Sequence, residues 1–235
     1  MKKSHNYNKK KLLRRYKRIS RSLNRKLTDF YGNSFAEMIK NEAQQEFEGI
    51  VINLPHFSGK VNLFRQIMFF CGLAIAYYRP LKKNGKTVEE SMIIFYEFID
   101  EFHRKIPRVF RWFIRKLFFS SIFLKIIQKA AKNVSDHPEG WKMTYYKGDK
   151  KECDWYFEAT ECAVIKLFKN EGVPEMAKYC NFIDYIQSNV FGLGLIQKGC
   201  LGAGDETCIE CMKQGRSTPI PDNLQNIIKN QVSYD

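Results

Sequence analysis

The apolar period of this chain changes once, across Asp136-His137-Pro138-Glu139-Gly140, and that change commits it to a mixed fold. Upstream, apolar residues recur at the spacing of amphipathic helices. Downstream, short aromatic-rich runs bounded by Gly and Asp read as strands. Helices followed by a strand-rich part predict the α+β class: an N-terminal helical bundle packed on a C-terminal antiparallel sheet with two helices.

The upstream helices have readable ends. Ser34 is placed to cap FAEMIKNEAQQEFEGIV, which stops before Pro55. The most apolar run, IMFFCGLAIAYY (67–78), belongs to a helix over 63–79 that Pro80 should end. That run is short of the ~20 residues a membrane span needs. Thr87 followed by Glu90 is a capping box that opens VEESMIIFYEFIDEFHRK. One long helix is expected from Pro107 through residue 133. Its Arg108, Arg111 and Arg115 form a solvated side, while Phe110, Phe113, Leu117 and Leu124 face the core; a membrane-surface helix is the competing reading.

Downstream, WKMTYYK (141–147) and ECDWYFEA (152–159) are strands joined at Gly148-Asp149. ECAVIKLFKNE (161–171) is a helix with Thr160 as N-cap and Gly172 as C-cap. Pro174 starts one further helix reaching Val190. GLGLIQKGC (192–200) and ETCIECMKQ (206–214) close a hairpin around Gly202-Ala203-Gly204-Asp205, which sets Cys200 opposite Cys208. The chain thus divides into a flexible basic arm (1–33), a helical region (34–137), an α+β region (138–215) and a loosely attached tail (216–235).

Charge narrows the partner. Of 39 Lys and Arg, 12 precede residue 27 with no acid among them, leaving 27 basic against 25 acidic residues elsewhere. The net charge of +14 is therefore mostly a property of the arm. Such an arm suits an anionic surface, and no specific nucleic-acid partner is predicted. No apolar leader follows Lys2-Lys3, and seven dispersed cysteines fit a reducing cytoplasm, as thiols or metal ligands rather than bridges.

Three places carry chemistry. Glu161 and Cys162 would sit in the first turn of a helix, where the dipole favours a carboxylate or thiolate. Cys180 and Asp184 are one turn apart on a helix face, as an acid–base pair or half a metal site. Cys200 and Cys208 flank the glycine turn, and with Cys180 they make a candidate metal set for which zinc is the suitable ion. Ligand, nucleophile and packing roles stay open for each. No Walker loop, dinucleotide fingerprint or H-E-x-x-H occurs, which excludes the nucleotide and zinc-protease classes those motifs mark.

ATEC (159–162), NEGVPE (170–175), YCNFIDY (179–185) and CLGAGDETC (200–208), in that order, resemble the L-2-amino-thiazoline-4-carboxylic acid hydrolase family. LPHFSGKVN (54–62), LAIAYYRPLKKNG (73–85) and KIPRVFRW (105–112) agree, so the likeness runs from about Ser34 to Lys213. The resemblance implies a hydrolase that opens a thiazoline ring to a carbamoylated cysteine. It carries over Glu161, Cys162, Cys180, Asp184 and Cys208 as catalytic residues, with Gly204 in the turn. Ile209 and Glu210 stand where the family has Asp-Phe, and Cys200 where it has a hydroxyl residue. For a carboxylate-bearing small-molecule substrate, Lys60 or Arg65 would meet its charge. The Cys200-to-Cys208 spacing also resembles zinc-bearing sensor domains related to 4-vinyl reductases, with Gln197 in place of their glutamate. That likeness implies the alternative, a non-catalytic small-molecule-sensing module.

Overall fold

The computed structural model describes residues 9–57 and 63–229. Four helices, α1 (Lys9–Tyr31), α2 (Asn33–Ile50), α3 (Leu63–Lys83) and α4 (Val88–Arg104), pack as an N-terminal bundle. Next come α5 (Arg108–Phe118) and α6 (Ser121–Ser135). The C-terminal part holds β1 (Lys142–Lys147), β2 (Trp155–Glu161), α7 (Ala163–Asn170), α8 (Phe182–Phe191), β3 (Ile196–Lys198), β4 (Cys208–Met212) and α9 (Gln225–Lys229). The sheet order is β1-β2-β4-β3, antiparallel throughout. The class is α+β, as the change of period predicts.

Several sequence expectations are corrected. The basic arm is not a flexible appendage from Lys9 onward, because Tyr16, Ser20, Leu23, Asn24 and Leu27 recur at helical spacing and are buried. Tyr16 stacks on Phe47 at 4.6 Å, and the Arg15 guanidinium lies 4.1 Å above Phe69. Apolar contacts along one stripe hold the helix while its cations point outward. Ser34 makes no cap; α2 begins at Asn33 after Gly32, whose φ of 81° turns the chain. The Thr87–Glu90 capping box is present in full. Pro80 does not stop α3; the helix runs on to Lys83 with Pro80 inside its last turn, at the loss of the one ladder bond its N–H would have made.

The long helix expected from Pro107 breaks at Phe119, where the Ser120 hydroxyl accepts from the Phe123 amide at 3.1 Å and opens α6. Likewise Pro174–Tyr179 is a 3-10 turn, and α8 starts afresh at Phe182. The tail is docked at least as far as Ile227: Arg216 donates to Gly194 O at 2.8 Å and to Glu152 O at 3.0 Å, and Leu224 and Ile227 are buried.

One pair of cysteines is bridged, against the expectation of thiols throughout. Cys153 and Cys211 form a disulfide with Cα atoms 5.5 Å apart, joining the start of β2 to β4. Cys71, Cys162, Cys180, Cys200 and Cys208 remain thiols. Among the described residues no helix is long and apolar enough to cross a membrane.

The bridge closes a span of 58 residues. Loop-closure entropy makes that worth about 2–4 kcal/mol. Urea unfolding with and without a thiol reductant should show that loss, and Cys153→Ser should be insensitive to the reductant.

Candidate functional site

The two halves of the fold enclose a cavity of about 150 Å³. One wall is the α3 face bearing Phe64, Ile67, Cys71 and Ala74, whose spacing stacks them along one side. The opposite wall is the sheet, where Phe157 and Ala159 of β2 and Cys208 and Glu210 of β4 point inward. Period-two alternation explains this pairing, since residues 208 and 210 must share a face. Asp184 reaches the cavity from the first turn of α8, Cys162 from the residue capping α7, and Cys180 from the joint before α8. The remaining lining is largely aromatic and aliphatic, with Trp141 and Tyr145 prominent. Among the described residues no Lys, Arg or His lines it.

Two carboxyl groups without a cation, buried Glu210 and half-buried Asp184, dominate the electrostatics. Glu210 is 2% exposed, and its Oε2 has no hydrogen-bond partner. Burial, reinforced by Asp184 and Cys200, pushes it well above the usual carboxylate range. Burial, then the nearby Cys200, raises Asp184 to about 7. Desolvation penalises the charged form of each, and each penalises the charge of the other.

The thiols separate into two kinds. Burial lifts Cys71 and Cys208, and it lifts Cys162 to about 11 even though the Ile165 and Val164 amides pull the other way. Cys180 and Cys200 have sulfurs 3.8 Å apart. Their hydrogen bond, with the Ala203 and Gly202 amides, lowers Cys200 to about 6 and holds the Cys180 proton in place. Cys200 therefore ionises first, yet it stands behind Cys180 and does not line the cavity.

A chain of side-chain amides positions Cys208. Asn223 donates to Asn181 at 2.8 Å, Asn181 to Gln197 at 2.6 Å, and Gln197 to the Cys208 sulfur at 3.4 Å. Gly202 lets the loop after β3 approach the 3-10 turn before α8, since a Cβ there would stand 1.9 Å from Ala177 O and 2.8 Å from the Cys180 sulfur.

Of the residues predicted from sequence, Cys162, Cys180, Asp184 and Cys208 meet at this cavity. Glu161 does not. It ends β2 instead of opening a helix, and an irregularity in the β1–β2 register at Lys142/Met143 turns it outward, exposed and paired with Lys166. Thr160 accordingly lies in the strand and caps nothing. Arg65 lies off the α3 face that supplies Phe64 and Ile67, so it does not line the cavity. Lys60 falls outside the described residues.

The zinc set is corrected too. The β3–β4 register pairs Lys198 with Ile209, so its next step sets Gly199, not Cys200, across from Cys208. Among the described residues no group of three or more His, Cys, Asp or Glu side chains is arranged to hold a metal ion. Sequence reasoning missed Glu210 and Cys71. The alternation that separates Cys208 from Cys211 also puts Glu210 beside Cys208, and the α3 period could have singled out Cys71.

No protein-family model, curated protein or solved structure matches the chain.

The raised Asp184 fixes the sign of a pH effect. The folded state holds its proton more tightly than an unfolded chain with a value near 3.8. Its contribution to stability is therefore full below about 4 and declines as pH rises through 7. Unfolding across that window should show Asp184→Asn gaining on the wild type as pH increases. Parallel curves would contradict the burial of this group.

Proposed function

We propose that the cavity binds a small cyclic amidine of the thiazoline class and opens its ring with water. The observation that carries this reading is the pairing of half-buried Asp184 with buried Glu210, facing a ring-sized apolar space that supplies no cation. A cavity near 150 Å³ accommodates a single small ring. An amidinium brings the positive charge that would let the carboxyl groups ionise, while its ring carbons match the aromatic walls. The resemblance to L-2-amino-thiazoline-4-carboxylic acid hydrolases favours the same chemistry.

In this reading water is the nucleophile. Cys162, Cys180 and Cys208 hold their protons at neutral pH, so thiolate attack is disfavoured. Asp184, at about 7, is suited both to accept a proton from water and to return it. Water adds its oxygen to the amidine carbon, and Asp184 takes its proton. The bond between that carbon and the ring nitrogen breaks, and the nitrogen leaves with the proton Asp184 returns. The products are a free amine and a carbamoyl group still attached to sulfur. Glu210 would hold the exocyclic nitrogen. The two acids also disfavour a substrate carboxylate inside the cavity, so a ring without one should fit better.

A second reading is a non-catalytic small-molecule-sensing module, favoured by the predominance of apolar lining. The two separate experimentally. With 2-aminothiazoline and its 4-carboxylate as substrates, ring opening followed by NMR should be fastest for the former. Asp184→Asn should lose about 10²-fold or more of that rate. Calorimetric binding without turnover would support the sensing module. Turnover undiminished by Asp184→Asn would overturn the role given to Asp184, and no binding of either ring would overturn the thiazoline reading.

A further inference from the structure

α5 is built inside out. None of its residues is buried, and Phe110 and Leu117 are 59% and 58% exposed, beside Val109, Trp112 and Phe113. The exposed side continues onto α6 through Ile122, at 65%, and Ile126. The core-facing helix expected from sequence is thus reversed. Arg111 and Arg115 turn inward, with their Nε atoms buried. Arg115 lies against Gly192, the left-handed residue ending α8, where the negative end of the helix dipole favours a cation. An arginine anchor on one side leaves the aromatic side facing out.

The surroundings are positive throughout. Residues 102–135 contain nine Lys or Arg and no Asp or Glu. Arg104, Lys105, Arg108, Lys116, Lys125 and Lys129 are exposed around the apolar side chains.

We propose that the α5–α6 face docks on the surface of an anionic lipid bilayer, with Phe110, Phe113, Leu117 and Ile122 entering the boundary between headgroups and acyl chains. Aromatic and aliphatic side chains ringed by cations match that boundary in both polarity and charge. A second copy of the chain would bring the same positive charges face to face. An RNA would meet the cations but leave the aliphatic side chains without apolar surface to cover. The docking face is independent of the cavity chemistry, although α5 packs on α8, which carries Asp184.

Flotation of the full chain with vesicles of phosphatidylcholine, alone or mixed with phosphatidylserine, tests this. Binding is expected to the mixed vesicles and to weaken with salt. The triple change Phe110→Ser, Phe113→Ser and Leu117→Ser should lower partitioning about tenfold or more. These positions are exposed, so circular dichroism should be unchanged. Lys116→Glu with Lys125→Glu and Lys129→Glu should abolish the preference for phosphatidylserine. The proposal is overturned if the triple variant binds like wild type, or if neutralising exposed cations of α1 (Arg14, Lys17 and Arg18) alone abolishes binding. Self-association or RNA binding that the triple variant removes, without vesicle binding, overturns it equally.

Discussion

A strand alternates its side chains, so β4 must send Cys208 and Glu210 into one interior, and a carboxyl group there has to find a cation or keep its proton. No cation lines that interior among the described residues, and Asp184 brings a second carboxyl group to it. Protonation is the remaining way to hold both, and burial raises both accordingly. The helical half and the sheet can therefore close on each other only around a proton-bearing acid pair, or around a ligand that replaces the proton's charge. The same constraint links stability to chemistry, because whatever neutralises the pair also determines how tightly the cavity is held.

Other elements serve that arrangement. The amide chain through Asn223, Asn181 and Gln197 ties the docked tail and the start of α8 to Cys208. Gly202 lets the loop after β3 reach the turn before α8, so that Cys200 meets Cys180 and lowers its own pKa at its neighbour's expense. Cys211 alternates away from Cys208 and Glu210, and its bridge to Cys153 fixes β4 against the start of β2. The two cysteine chemistries of β4 are thus kept apart by strand geometry alone. Chain segments far apart in sequence converge on one thiol and one acid.

Much of this was legible in local patterns. The change of period at Asp136–Gly140 marks the boundary between bundle and sheet, and the Thr87–Glu90 box forms as its residue types require. Cys162, Cys180, Asp184 and Cys208, four of the five residues that the resemblance singles out, line one cavity. What escaped needed three dimensions. The register irregularity that turns Glu161 outward depends on how β1 pairs with β2, which spacing along one strand cannot reveal. The inward turn of Arg115 on α5 depends on the end of α8 lying beneath it. The 23-residue α1 was hidden by its charge density, since a few apolar residues at helical spacing outweigh many solvated lysines once a bundle is there to receive them.

The carboxyl pair can be observed directly. Carbon-13 NMR of side-chain-labelled aspartate, compared with Asp184→Asn to identify the signal, reports the protonation of Asp184 across pH. A midpoint near 7, falling when 2-aminothiazoline is added, is the result expected of an acid buried beside Glu210. A midpoint near 4, unmoved by that ring, would mean that Asp184 is solvated as an ordinary aspartate is, and that no such cavity chemistry exists.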